Sequence, residues 1–360
     1  MYGGTLIGNG SFGCVFNPLI PCNSKSNLKG NKVSKIFFGN ESKNDADVEY
    51  ELSKNINKID PEKKWSYTWE RKCKSPKYSL ILKKEKGITK CLKDANIDIE
   101  RFDRTSYMLT GDYAGKVIND TRESSELQKC YTNSTAFRKI FLKIMKSVKP
   151  LFLGLKELYK HKISHLDINR NNMTMELEDK LFRYIDFGLS CKFTDTEKYE
   201  NRSKSEFGWE RIYPPYPLEY IYLFAPKELL EEEEYDIKMG IYRTGFETFV
   251  SIHEVIFGRK DIKKYQESII KQMKNSQSAN KKQILSSIDT YSLGIFIARM
   301  ILENKPDNIS KSKLRNLLND PIIKDFIDLF GLMSEPDSSK RIKPEEAYDK
   351  YLILEKEHIF

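Results

Sequence analysis

The stretch His165-Leu166-Asp167-Ile168-Asn169-Arg170-Asn171-Asn172 is followed, fourteen residues past Asn172, by Asp186 in Ile185-Asp186-Phe187-Gly188. The pattern is D-x-x-x-x-N and then D-F-G. It sets two carboxylates and one carboxamide at fixed separations, all offering the hard oxygen donors that magnesium prefers. Phosphoryl transfer asks for little covalent help. It needs a carboxylate to take the hydroxyl proton and oxygen ligands to hold magnesium against the phosphates. Asp167 suits the first role, and Asn172 and Asp186 suit the second.

Upstream, Gly8-Asn9-Gly10-Ser11-Phe12-Gly13-Cys14-Val15 is rich in glycine. Glycines let a backbone come close to phosphates. A helix after such a turn would suit a dinucleotide site. Here Val15 and Phe16 follow at once, so the spacing predicts a hairpin. Lys35, in Val33-Ser34-Lys35-Ile36-Phe37, lies among strand formers and needs a partner for its charge. Phosphate oxygens and a helix carboxylate would serve. Glu49 on the next predicted helix is the candidate, with Glu51 as the alternative.

These motifs together resemble the eukaryotic-type protein kinase superfamily, from the Gly-rich stretch to the C-terminus. Pro217-Leu218-Glu219 is similar to the family's A-P-E element, Lys340-Arg341 to its late arginine that pairs with that glutamate, and Asp289-Thr290-Tyr291-Ser292-Leu293-Gly294 to its buried D-x-[WY]-S-x-G helix start. In finer detail the chain resembles the serine/threonine kinases of large DNA viruses, through its opening G-x-G-x-F-G-C-V-F-x-P and the Tyr- and Pro-rich stretch 213–220. The resemblance implies ATP and Mg2+ as cofactors and a protein substrate. Gly8, Asn9, Gly10, Ser11, Phe12 and Gly13 would cover the phosphates, and Ile7 and Val15 would sandwich the adenine. Backbone groups from Asp112 to Ala114 would hydrogen-bond the base. Lys35, paired with Glu49, would hold the phosphates.

Departures from the family pattern are also legible. Leu166 replaces the arginine that binds a phosphorylated activation segment. Asn169 stands where serine/threonine kinases carry a lysine, and the neighbouring Arg170 is the candidate substitute. Ser53 stands four residues after Glu49, where the family has an apolar residue directed toward Phe187. Residues 220–288 separate Glu219 from Asp289, so about 225–285 reads as an insertion, either a helical subdomain or a partner dock. Two rival readings accompany the kinase: a pseudokinase scaffold, favoured by Leu166 and Asn169, and a small-molecule phosphotransferase, disfavoured by the A-P-E-like element and Arg341.

The remaining sequence predicts strands first and helices afterwards. The class is therefore α+β: a small antiparallel-sheet N-lobe over 1–112 and a larger mainly helical C-lobe over 113–360. Strands are expected at 4–16, 32–38 and 106–109, and alternating Trp65, Tyr67 and Trp69 suggest another. Tyr78 to Leu82 is a further apolar run. Helices are expected at 45–59 and at 137–161, the latter interrupted at Pro150. The acidic run Glu231 to Glu234 reads as an exposed helix face.

The net charge of +9 is spread along the chain and calls for no nucleic-acid groove. The six cysteines show no C-x-x-C spacing, which argues against zinc. With no secretory signal at Met1-Tyr2-Gly3-Gly4, they read as reduced thiols of a soluble intracellular protein. If the chain is viral, host cytoplasm and the virion are the expected places. No apolar run of membrane-spanning length is apparent.

Overall fold

The computed structural model describes residues 5–10, 13–22, 31–83, 85–118, 122–176, 178–204, 212–274 and 281–359. Two compact units emerge: Met1–Gly115 together with Ile185–Gly188, and Lys116–Tyr184 together with Leu189–Phe360. The expected boundary at Asp112 falls three residues early. Asp112 still pairs with Lys32 in the sheet, and the chain leaves the first unit at Gly115, whose positive φ of 93° suits glycine.

The first unit is an antiparallel sheet with helices on it. In chain order it comprises β1 (Thr5–Gly10), β2 (Gly13–Asn17), β3 (Lys32–Phe37), α1 (Ser42–Ile59), β4 (Trp69–Lys74), α2 (Tyr78–Leu82), α3 (Gly87–Asp94), α4 (Ile99–Thr105) and β5 (Tyr107–Asp112). The strand order is β1-β2-β3-β5-β4. Successive residues of β3 serve opposite faces. Ile36 joins Cys14, Phe16, Ile88, Leu92, Phe102 and Met108 on one side. Phe37 joins Leu109 and Ala46 of α1 on the other.

Several sequence expectations are corrected in this unit. Residues 65–68 do not extend β4, because the Asp60 carboxylate takes the amides of Lys64, Trp65 and Ser66 at 2.8–3.0 Å. The run from Tyr78 is helical; the Asp103 carboxylate accepts the Tyr78 amide at 2.6 Å and opens α2. The cysteines are not all reduced: Cys14 bonds to Cys91 and Cys22 to Cys73. Their Cα atoms lie 6.3 and 6.1 Å apart, within disulfide reach. The partners are 77 and 51 residues apart, so local spacing gave no sign of them.

The second unit comprises β6 (Lys116–Val117), α5 (Arg122–Cys130), α6 (Ser134–Ser147), α7 (Lys149–Lys160), β7 (Ile163–Ser164), β8 (Met173–Met175), β9 (Phe182–Tyr184), β10 (Cys191–Lys192), α8 (Thr196–Lys204), α9 (Leu218–Leu223), α10 (Lys227–Lys238), α11 (Phe246–Ser251), α12 (Ile262–Lys274), α13 (Lys281–Glu303), α14 (Lys311–Leu318), α15 (Pro321–Met333) and α16 (Pro344–His358). The expected long helix is two helices, divided at Val148. Pro150 sits in the first turn of α7, where its missing N–H costs no hydrogen bond.

Helix α13 is long and apolar enough to cross a bilayer by length and composition, contrary to the expectation of no such run. Its most apolar stretch is 83 % buried within the protein, as in a core helix.

The inserted region forms α10 to α12, with a π-helical turn at Ile252–Ile256. Its acidic run is not simply an exposed face. Helical spacing puts Glu233 beside Leu230 and Ile237 on the buried side of α10. Its carboxylate accepts from Tyr222 at 3.0 Å and Gln266 at 3.1 Å, and pairs with Arg243. The inserted helices are thereby tied to α9, so the region is an integral helical layer of this unit.

Candidate active site

In the first unit, β3 is a central strand, and Lys35 lies opposite Val15 and Leu109. Its side chain is 9 % exposed. The ammonium donates to both Glu49 oxygens, at 2.9 and 2.8 Å, and lies 3.5 Å from Asp186 Oδ1. Burial opposes the lysine charge, but Glu49 and Asp186 outweigh it and hold Lys35 above its ordinary range. Burial pushes the Glu49 carboxyl up, against the pull of Lys35 and a 2.5 Å hydrogen bond from the Trp69 indole. Glu51, the alternative partner, instead pairs with Lys54 near the surface.

Ser53 is buried and turns its hydroxyl onto the Glu49 carbonyl at 2.8 Å. The contact to Phe187 comes from Trp65, edge-on with ring centroids 6.5 Å apart. The apolar position missing at 53 is thus made up by an aromatic from outside α1. Neither Trp65 nor Trp69 was legible as a site residue, since their alternation reads as a plain strand.

Strands β1 and β2 form the expected hairpin, with Gly8 opposite Val15 and Gly10 opposite Gly13. Ser11 and Phe12 lie outside the described residues, as does the Asn9 side chain. Ile7 is half exposed at an irregularity of the hairpin. Gly13 has φ 151°, and a Cβ there would meet the Ile36 carbonyl oxygen at 2.1 Å, so only glycine fits. At the other end of the sheet the Asp112 carboxylate pairs with Lys32 and Lys63. The Tyr113 amide is committed to the Asn31 carbonyl at 2.9 Å. It is therefore not free to bind a base, which narrows the expected 112–114 contact. Ala114 is buried beside it.

The second unit carries Asp167 and Asn172. The loop after β7 is held from beneath by Asp289 of α13, whose carboxylate accepts the amides of His165 at 2.6 Å and Leu166 at 3.0 Å. Asp289 lies well inside α13, not at its start as expected. Leu166 is buried with φ 59°. The Asn172 amide nitrogen donates to the Asp167 carbonyl at 3.0 Å and to Asp167 Oδ2 at 2.6 Å. Its own carbonyl oxygen is left as a donor for a hard cation, so the residue fits a magnesium ligand.

Asn169 does not replace the expected lysine, because its amide nitrogen donates to the Asp167 carbonyl at 3.1 Å. Arg170 does not either; it pairs with Glu303 at 3.0 Å. The cation beside Asp167 is Arg202 of α8, with Nη2 3.2 Å from Asp167 Oδ1. Sequence reasoning missed it, and its surroundings in 196–204 carry no motif.

Glu219 and Arg341 make a buried pair at 2.7 Å, with Arg341 fully enclosed. The Ser338 amide adds a 3.1 Å bond to the other carboxylate oxygen. Arg341 also donates to the carbonyls of Glu335 and Pro336 and to the Ser287 hydroxyl. Arg341→Leu leaves Glu219 buried without its countercharge and should destabilise the protein by about 3–5 kcal/mol. Urea denaturation read by circular dichroism checks this.

No curated protein matches the chain. A family model described as the protein kinase domain matches residues 104–352, more than half of the chain. That span holds Asp167, Asn172, Asp186, Glu219, Asp289 and Arg341, while the first unit supplies the antiparallel sheet and the Lys35–Glu49 pair. The chain belongs to the protein kinase family.

Proposed function

We propose that the protein is an active, magnesium-dependent kinase that transfers the γ-phosphoryl group of ATP to serine or threonine hydroxyls of proteins. The observation that carries this reading is the buried Lys35 ammonium, gripped by both Glu49 oxygens and close to Asp186. Burying a charge is costly, and a role in holding phosphate oxygens gives this lysine a use that offsets the cost. Lys35 positions the α- and β-phosphates. Asp186 and Asn172 would hold magnesium, which neutralises phosphate charge during transfer. Asp167 orients the acceptor hydroxyl and takes its proton. Gly8, Gly10 and Gly13 cover the phosphates, and Ile7 and Val15 flank the adenine.

The serine/threonine assignment rests on Ile168-Asn169-Arg170-Asn171, which lacks the Ala-Ala-Arg or Arg-Ala-Ala that tyrosine kinases carry after the base, and on the resemblance to kinases of large DNA viruses. One observation favours the pseudokinase alternative: neither Asn169 nor Arg170 offers a cation to Asp167. Acid hydrolysis of a labelled protein acceptor separates the possibilities. Phosphoserine or phosphothreonine, formed with Mg2+ and lost in EDTA, supports the proposal. Phosphotyrosine alone contradicts the specificity.

Hydroxyl contacts tie the segment 189–216 to its surroundings among the described residues. Tyr216 donates to the Leu166 carbonyl at 2.6 Å, Tyr220 donates to the Tyr199 carbonyl at 2.8 Å, and Tyr199 and Ser164 share a 2.6 Å bond. Leu166 stands in place of the family's phosphate-binding arginine, so the usual receptor side chain for a phosphate on 189–216 is missing at position 166. Phosphatase-treated protein should keep its peptide-kinase rate within about twofold, and a loss of about tenfold or more would contradict this.

A further inference from the structure

Position 169 has lost the lysine that would stand near the base, and both local side chains are engaged elsewhere. Asp167 nevertheless has each carboxylate oxygen bound. Asn172 donates to Oδ2 at 2.6 Å, and Arg202 reaches Oδ1 at 3.2 Å. Arg202 comes from a distant part of the chain, and its place is built for it. Its Nε donates to the Tyr216 hydroxyl at 2.6 Å, and that hydroxyl donates in turn to the Leu166 carbonyl. The Tyr213 and Tyr216 rings lie 5.8 and 5.5 Å from the guanidinium carbon, within cation–π range. The next residue, Ser203, is buried and bonds to the Ile221 carbonyl at 3.1 Å, which fixes the end of α8.

We propose that Arg202 is the positioning residue for Asp167, supplying from α8 the cation that the chain lacks at position 169. A planar guanidinium held on two sides aims the carboxylate better than a mobile ammonium would. One hydrogen bond to each oxygen leaves Asp167 a single favoured orientation toward the acceptor hydroxyl. The arrangement also makes the base depend on the order of α8, so catalysis and the docking of this segment are coupled. An inhibitory contact, in which Arg202 screens Asp167 from the acceptor, is the opposite outcome and is separated by the sign of the effect.

The inference rests on the kinase reading, and the test keeps the two apart. Steady-state kinetics on a peptide acceptor would compare wild type with Arg202→Met, Arg202→Lys, and Arg202→Met combined with Asn169→Lys. Arg202→Met should lower kcat about 10- to 100-fold with the KM for ATP nearly unchanged, as expected for loss of an oriented charge contact. Arg202→Lys should recover part of the rate. Asn169→Lys should restore about tenfold or more to the Arg202→Met protein, since it returns a cation by the other route. A purely structural role would not be relieved by a substitution at 169. Unchanged or increased kcat in Arg202→Met, or no rescue by Asn169→Lys in a protein whose circular dichroism matches wild type, overturns the inference. Should Arg202→Met fail to fold, Tyr216→Phe tests the same tether, with a fall in kcat expected and an unchanged kcat contradicting it. A wild-type protein without transfer would overturn the kinase reading itself.

Discussion

Asp167→Asn is expected to lower kcat for peptide phosphorylation by about 10²- to 10⁴-fold, the range for loss of a positioned general base. The change keeps the shape of the side chain and removes its proton-accepting oxygen. It also removes the charge that faces Arg202 at 3.2 Å. The loop itself should persist. The Asp289 carboxylate holds the His165 and Leu166 amides, and Asn172 still reaches the carbonyl of residue 167. The loss corresponds to about 3–5 kcal/mol of barrier. The KM for ATP should change little, because Asp167 is assigned no contact with the nucleotide. Initial rates at varied ATP and peptide read both quantities.

Lys35→Met should act on both activity and stability. Removing a preorganised cation from the phosphates should lower kcat/KM by about 10²- to 10³-fold. In the folded protein the same change leaves Glu49 buried, with only the Trp69 indole among the described residues to satisfy it. Burial already pushes the Glu49 carboxyl up, and without Lys35 nothing of comparable strength opposes it. A carboxyl whose folded pKa exceeds its unfolded value favours folding while protonated. Relative to wild type, the variant should therefore lose stability as pH rises above the ordinary carboxylate range of about 4.5. Thermal melts across pH read that slope. Adding Glu49→Gln should flatten it while leaving activity low, which separates the structural burden of the pair from its work on phosphate.

Part of the candidate site was legible because its residues are close in sequence and mutually constrained. Asp167 and Asn172 are five residues apart and share a hydrogen bond, so their spacing has a direct geometric meaning. Glu49 was readable because helical periodicity and a single charge requirement at Lys35 left few choices. What stayed hidden depends on contacts made across long stretches of chain. Arg202 reaches Asp167 over 35 residues from a polar helix. Trp65 meets Phe187 across more than a hundred. Cys14 and Cys91 are brought together only when α3 packs on the sheet. Glu233 looked like part of a solvated acidic run, because its partners Tyr222, Arg243 and Gln266 sit on three other segments. The Asp60 bonds that take 64–66 out of the strand pattern are the same kind of event: a side chain competing with the ladder for backbone amides.

The central claim is that this chain transfers phosphate and does not merely hold a nucleotide. The most direct measurement incubates the protein with Mg2+ and ATP carrying label at the γ- or, separately, the α-phosphorus, with a Ser/Thr-containing acceptor protein. Equilibrium binding of ATP is followed in parallel. The account predicts that γ label reaches the acceptor, α label does not, and Asp167→Asn binds ATP as wild type does while transferring far less. Nucleotide binding by wild type with no more transfer than Asp167→Asn would contradict it.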